Sequence, residues 1–346
     1  MVRARSVSAC IYMLMVSSAF AVGVSALDLD ALTHDSDLIV VGKVISVREV
    51  DTTRVTVFSQ DYRARVLVGL IHVDQILKGA APSATVSFKF YLPETFVGWQ
   101  SVTPNAYAAF FFKSGLSGEM EFTNPYYPSV PAHSDSRTSG ATAIDRVLET
   151  AQAVVYAPNE TLNQKMTALQ IISYSKSPTS TGSLKSALSH PEEYIRLEAA
   201  TALVERNDSS GLNLLVDAIL QEPSTIPDGM RQSLAANIGT WLTDPKAAPE
   251  LVNLLKSPSA EIRRAAAEGL WRTHSQQAVM PLLTMLGDSD TKVRYFSVVG
   301  LAEITGQLEW RPNPDDFAAS STKYLNHWIE WGAAYTPQNQ EPASVK

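Results

Sequence analysis

The chain has 346 residues, of which 45% are hydrophobic and 18% are charged. This length suits two or three domains, and the apolar content is ample for their cores. The formal net charge of −7 argues against a nucleic-acid-binding protein, because such a protein presents a basic face.

The first 26 residues have the pattern of a secretory signal peptide. Arg3 and Arg5 give a positive start, an apolar run covers 9–24, and small residues at 24–26 offer a cleavage site. The alternative is an uncleaved membrane anchor, but the run is shorter than the roughly 20 residues that a spanning helix needs. We therefore predict a secreted or periplasmic protein with no integral membrane segment after cleavage.

The single cysteine, Cys10, lies inside this peptide. The mature chain would then contain no disulfide and no thiol nucleophile. An exported, acidic protein without cysteine is more typical of bacteria than of eukaryotes.

Residues 27–130 are predicted to form a small β domain. Apolar and polar residues alternate most clearly at 84–92, which is the pattern of a half-buried strand. Gly42 and Gly69 interrupt two of the predicted strands, and an internal glycine often marks a bend at the corner of a barrel. Five such strands favour a small closed or partly closed barrel. The predicted strands are 38–47, 62–79, 84–92, 106–114 and 119–123.

The stretch SDLIVVGKVISV, followed later by VDQILKG, resembles the OB-like, netrin-module-like domains of exported bacterial proteins. The resemblance covers roughly 37–125 and implies a five-stranded OB-like barrel. Animal members of that superfamily carry disulfides, and the metalloprotease inhibitors among them use an N-terminal cysteine to reach zinc. This chain has neither feature, so a protease-inhibitor-like binding module is kept only as an alternative.

Pro, Ser and Gly are concentrated at 125–140, which predicts a domain boundary. We assign 131–158 to a linker and a capping helix, because apolar residues recur at helical spacing over 141–157 and Pro158 ends the pattern. The tail at 336–346 is predicted to be disordered.

A repeat occupies 159–335. A basic residue recurs at intervals of 31, 35, 32 and 31 residues, with apolar or small residues four and seven positions after it. A second apolar stretch follows later in each unit. These features predict about five helical hairpins, which bury their apolar faces only by stacking into a right-handed α-solenoid. The recurring basic residues are Lys165, Arg196, Arg231, Arg263 and Arg294.

The combination of an apolar residue, Arg, paired alanines and Leu, as in EIRRAAAEGL, resembles short HEAT-like repeats of the kind shared with phycobilin lyases. The resemblance covers about 160–305 and implies the fold more than the function, because solenoids bind many things. A phycobilin-lyase-like enzyme or enzyme accessory is one alternative. Export and the missing thiol argue against chromophore attachment.

We interpret the five basic residues as a structural ladder, because a feature present in every unit is what stacking requires. Each side chain can lay its stem along apolar surface and direct its charged end to carbonyls or carboxylates of the adjacent turn. Such acceptors stand nearby in sequence at Glu193, Glu261 and Asp290.

A protein or peptide partner is predicted to bind the second helices of the hairpins. Their non-core positions carry mixed charge, which suits a protein surface better than a polyanion. The candidate partner-binding residues are Lys185, Asn213, Asp217, Asn253, Lys256 and Gln277. An alternative binding site would use Trp310, Trp328 and Trp331 for an aromatic ligand, although aromatic residues at helical spacing usually belong to a core.

The sequence contains no metal-binding, nucleophile-elbow, calcium-loop, phosphate-loop or dinucleotide motif. We therefore expect no enzyme activity and no cofactor. The predicted function is that of an exported scaffold or adaptor that binds protein through the surface of the solenoid.

Overall fold

The computed structural model describes residues 27–81, 83–95, 99–115 and 118–335. The predicted signal peptide, with Cys10, and the predicted tail from 336 lie outside these residues. A β sheet comes first and a series of helices follows, so the order is β then α. The chain divides into two compact units between Ser183 and Leu184, and each is described by itself below.

The first unit contains a short helix and a sheet. Asp28 caps this helix by accepting a hydrogen bond from the N–H of Ala31 at 2.9 Å. The elements are α1 (Leu29–Asp35), β1 (Leu38–Val57), β2 (Gln60–Lys78), β3 (Thr85–Pro93), β4 (Tyr107–Ser114), β5 (Met120–Phe122) and β6 (Ser129–Pro131).

The strands follow the order β1-β2-β3-β5-β4-β6, and β1 also pairs with β4. The first five strands are therefore hydrogen-bonded in a closed circuit. The pairing of β3 with β5 is parallel, whereas the other pairings are antiparallel. Apolar side chains from all five fill the interior, among them Val44, Ile71, Phe88, Phe110 and Phe122.

Two features of the sheet differ from the sequence prediction. β1 continues to Val57 instead of ending at 47, because its outer half pairs with β2 through a tight turn at Phe58 and Ser59. Residues 48–54 are exposed and do not alternate between apolar and polar, so their sequence did not predict a strand. The prediction of five strands also missed β6, which has only three residues and pairs with β4 inside the stretch 125–140 that was predicted as the domain boundary.

Gly42 and Gly69 allow close approach between neighbouring strands. A Cβ atom on Gly42 would lie 2.0 Å from the carbonyl oxygen of His72, and one on Gly69 would lie 2.2 Å from the ring of Phe88. Gly42 also adjoins a register shift in the β1–β2 ladder. The two glycines are thus required by packing as much as by bending.

Helices occupy most of the chain after residue 142. Thr142 and Thr161 begin the first two of them with capping boxes. The helices are α2 (Ala143–Tyr156), α3 (Leu162–Ser173), α4 (Pro178–Ala187), α5 (Glu193–Val204), α6 (Leu212–Leu220), α7 (Asp228–Trp241), α8 (Ala248–Leu254), α9 (Ala260–Thr273), α10 (Val279–Met285), α11 (Thr291–Thr305) and α12 (Pro314–Ala334).

In the second unit the helices alternate between two rows. Helices α5, α7, α9 and α11 each contact the next in that order, and we call them the first helices. The second helices α6, α8, α10 and α12 each follow one of these in the chain, and each packs against at least one first helix. In the first helices, the residues four and seven positions after the basic residue of the repeat are all buried. They are Ala200, Ala235, Ala267 and Val298 at four positions, and Leu203, Ile238, Leu270 and Leu301 at seven. In the part of the chain that the structure describes, no helix is both long enough and apolar enough to cross a membrane.

Candidate functional site

Four arginines close the turn before their helix in the same way. In each case Nη1 donates to the carbonyl oxygens six and five residues earlier. The distances are 2.9 and 3.3 Å for Arg146, 2.8 and 3.0 Å for Arg196, 3.0 and 3.0 Å for Arg263, and 2.6 and 3.2 Å for Arg294. These contacts give partners to turn carbonyls and fix where each helix starts.

The other two basic residues of the repeat, Arg231 and Lys165, are both buried. Arg231 is almost completely buried, and its Nε donates to the carbonyl oxygen of Ile219 at 2.7 Å while its Nη2 contacts Glu222 at 2.9 Å. The connection before α7 is longer than in the later repeats, which moves the carbonyls of the preceding turn away from the usual offset. Lys165 is also buried, at the start of α3.

Two arginines of α9 also bind the turn before α11. Arg263 makes a bidentate contact with Asp288 at 2.7 and 3.0 Å, and Arg264 makes a second bidentate contact with Asp290. The hydrogen bonds from Arg263 lower the pKa of Asp288, and those from Arg264 hold the pKa of Asp290 well below its usual range. Each pair links one repeat to the next with fixed geometry.

Arg146 was not among the residues that the repeat predicted. It stands 19 residues before Lys165, outside the repeat interval, so the periodicity did not include it. Its Nε also donates to the carbonyl oxygen of Leu77 at 2.8 Å and so ties α2 to the sheet of the first unit. The sequence feature that could have indicated Arg146 is the pair of small residues Gly140 and Ala141. They stand six and five residues before an arginine in the first turn of a helix.

Three of the predicted partner-binding residues already have intramolecular partners. The Nζ of Lys185 lies 2.9 Å from a carboxylate oxygen of Asp208. The side-chain oxygen of Asn253 accepts a hydrogen bond from the Nζ of Lys256 at 3.2 Å. Any external partner at these positions would have to compete with those contacts.

The other three predicted residues are exposed. Asn213 and Asp217 lie one turn apart on α6. Gln277 lies in the short 3-10 turn Gln276–Ala278 before α10, not on the helix itself. The structure therefore brings Asn213 and Asp217 onto one face and places Gln277 at an edge.

The exposed surface of the second helices changes character along the row. Helices α6, α8 and α10 can be aligned on their buried leucines at 215, 251 and 282. In this alignment Asn213, Pro249 and Met280 occupy equivalent positions. Met280 is 46% exposed, and Ile329 on α12 is 55% exposed. One turn later on these helices, the side chain of Leu283 packs on Gly332. We call Met280 and Ile329 the apolar end. The sequence did not predict it, because apolar residues at helical spacing are expected in the core.

The three tryptophans of the alternative site belong to an aromatic cluster. Trp328 is fully buried and packs edge-on against Trp331, with ring centroids 5.3 Å apart. Trp310 stacks face to face on His327 at 3.7 Å. Trp328 thus presents no accessible face to a ligand.

The first helices α9 and α11 present a different surface. Trp271 stacks on Phe296, its Nε1 donates to Glu303 at 2.6 Å, and the guanidinium of Arg272 lies over its ring. Arg272 in turn pairs with Glu268 at 2.9 Å. The aromatic and charged groups of this surface are engaged with one another.

The sheet of the first unit carries a shallow cavity of about 480 Å³. Apolar side chains, including Val68, Leu70 and Met120, line one part, and the pair Lys89–Glu119, 3.7 Å apart, lies at its edge. Within the described residues, no group of three or more His, Cys, Asp and Glu side chains is arranged to hold a metal ion.

Comparison with known proteins concerns the helical region. Residues 248–315, from α8 to the start of α12, match the model of the HEAT repeats family. An engineered protein solved by the Northeast Structural Genomics Consortium is similar over 49% of this chain and 85% of its own, with 16% identity and a TM-score of 0.33, which is too distant to support an argument. No curated protein gives a significant match. The C-terminal helical region therefore contains a segment, 248–315, that is similar to HEAT repeats.

Proposed function

We propose that this chain is an exported, non-enzymatic scaffold or adaptor that binds a protein or peptide partner through its helical repeats. HEAT repeats commonly mediate protein–protein interaction, and stacked repeats offer extended binding surfaces. The observation that carries the proposal is the exposed row of second helices, polar at Asn213 and Asp217 and apolar at Met280 and Ile329. Such a surface combines an apolar anchor for affinity with polar contacts for orientation.

We also propose the finer architecture that the sequence indicated. An OB-like barrel over 27–130 is supported by the closed circuit of five strands and by the parallel pairing of β3 with β5. A right-handed α-solenoid over 159–335 is supported by the succession of first helices, each in contact with the next.

The binding proposal is tested by changing the second-helix surface. Asp217→Lys alters its polar part, and Met280→Glu alters the apolar end; both side chains are exposed, so circular dichroism should show folded proteins. Capture of a specific partner from the cell-envelope fraction should fall in both variants. Gln232→Lys, at an exposed position of the first helix α7, is the matched control and should capture normally.

The control position follows from the contacts of the first helices. Glu268 is unsuitable because its change would also break the pair with Arg272. If Gln232→Lys abolishes capture while Asp217→Lys and Met280→Glu do not, the second helices are not the binding surface.

A further inference from the structure

Helix α12 carries a titratable side chain, His327, that is not among the residues named for partner binding. His327 on α12 stacks on Trp310, which lies in the short segment Leu308–Trp310, with ring centroids 3.7 Å apart and 5° between the ring planes. The ring of the fully buried Trp328 meets His327 edge-on at 5.0 Å. Among the described residues, the buried Nε2 atom of His327 has no hydrogen-bond partner.

The charged groups around His327 come from several elements. Glu309, in the segment that carries Trp310, and Glu330, on α12, both favour its protonated form. The Nζ of Lys323, also on α12, lies 5.6 Å from the centre of the Trp310 ring. Helix α10 carries no titratable side chain.

Helix α11 adds titratable groups that are engaged elsewhere. Glu303 contacts Arg311 and the indole N–H of Trp271. Arg294 donates to carbonyls of the turn before α11, and the Tyr295 ring packs edge-on against Phe317. Lys292 is exposed in the first turn of the helix. Burial outweighs the carboxylates and lowers the pKa of His327.

The geometry fits a neutral imidazole better than a charged one. In the neutral ring with its proton on Nδ1, the buried Nε2 is an acceptor that lacks a donor. Protonation would place a positive N–H at the same buried position without an acceptor, which is a much larger cost. Stacking on Trp310 favours a cation, but it does not replace the missing hydrogen bond.

We propose that protonation of His327 opens the contact between the segment Leu308–Trp310 and helix α12, so that the end of the helical unit is an acid-sensitive switch. The open form exposes the ring of Trp310 and the edge of the aromatic cluster around Trp328. Because the open state binds the proton more tightly, its population rises as the pH falls below about 6.5, the usual pKa of histidine. Above that pH the contact stays closed.

The test is hydrogen exchange of a peptide that covers 306–313, measured between pH 7.5 and 5.5 and corrected for the intrinsic exchange rate. Protection in the wild-type protein should fall several-fold over this range. His327→Phe keeps an aromatic ring for Trp310 to stack on but cannot be protonated, so its protection should not change with pH. His327→Gln serves as a second variant that stays neutral if the phenylalanine disturbs the fold.

Fluorescence gives an independent readout. The emission of the wild-type protein should change with the same midpoint, and Trp310→Phe should remove that change because Trp310 is the stacked ring. An equal loss of protection in wild type and in the folded His327 variants, or no loss in wild type, would overturn the proposal.

Discussion

Arg263 connects three parts of the chain through one side chain. Its stem lies on α9, its Nη1 holds two carbonyls of the turn before that helix, and its remaining donors bind both oxygens of Asp288. The side chains of Arg263 and Asp288 are only 14% and 7% exposed, so water screens their interaction weakly. Removal of the arginine would leave a carboxylate that water barely reaches.

We therefore expect Arg263→Ala to lower the free energy of unfolding by about 2–4 kcal/mol. Arg196→Ala should lower it by about 1–2 kcal/mol, because the hydrogen bonds that Arg196 makes to the turn before its helix are to neutral carbonyls. Urea titration of the two variants measures the difference. Adding Asp288→Asn to Arg263→Ala should restore part of the loss, and equal effects at positions 196 and 263 would contradict the role assigned to Asp288.

The same pair predicts how stability depends on pH. Hydrogen bonds from Arg263 lower the pKa of Asp288 from its ordinary 3.8. A carboxyl group whose pKa is lower in the folded state than in the unfolded state stabilises the fold at pH values above its unfolded-state pKa. This contribution is lost as the pH falls through its folded-state pKa. The second unit should therefore lose stability below about pH 4. Urea titrations between pH 5 and 3 should show a shallower dependence in Asp288→Asn, and an unchanged dependence would exclude this residue as a cause.

At the scale of the elements, what the sequence predicted depended on periodicity. The repeat predicted each first helix and the buried residues four and seven positions after its basic residue. A helix that packs on both neighbours must keep its small and apolar residues in register, and this produces the periodicity. β1 shows the opposite case. Its residues 48–54 are exposed and have no apolar face to bury, so neither the length of the strand nor the turn at Phe58 and Ser59 could be predicted from alternation.

The contacts of the ladder were only partly predictable. The positions of the arginines follow from the repeat. The sequence shows Asp288 only as one of two nearby aspartates that do not form a calcium-binding motif, and nothing in it indicates a contact with Arg263. Its role depends on the distance between two repeats, which no local pattern records. The apolar end at Met280 and Ile329 was hidden for a related reason, since an apolar residue on a helix is expected in the core until the packing shows otherwise.

A glycine in the sheet gives a test at this scale. Gly69→Ala should destabilise the first unit by about 1–3 kcal/mol, because the new Cβ would lie 2.2 Å from the ring of Phe88 and that ring is enclosed in the core. Gly182→Ala in helix α4 is the matched control. Apart from its chain neighbours and the backbone of its own helix, no atom of the described residues lies within 4 Å of its added Cβ, so the change should be neutral or should stabilise the protein by up to about 1 kcal/mol. Thermal unfolding of both variants decides the matter, and a neutral Gly69→Ala would mean that the ring moves freely.

At the scale of the whole molecule, the proposed function combines a HEAT-like repeat region with a sheet domain in one acidic, exported chain. The acidic balance of the chain and the mixed charge of the second helices fit a protein partner better than a polyanion. The proposed export would place that partner in the cell envelope or outside the cell, and it would also give the His327 contact a surrounding in which the pH varies more than in the cytosol.

Processing after Ala26 would make Leu27 the first residue of the mature chain. Leu27 and Leu29 are both buried, and Asp28 between them caps α1, so cleavage further along would remove residues that the first unit needs. Mass spectrometry of the protein recovered from the periplasm or the medium should show an N-terminus at Leu27. A variant with Ala26→Lys should accumulate unprocessed, because a large charged residue blocks a cleavage site that requires a small one. Recovery of the complete chain from the cytosol, with Met1 in place and no processed form elsewhere, would refute export and with it the proposed location of the partner.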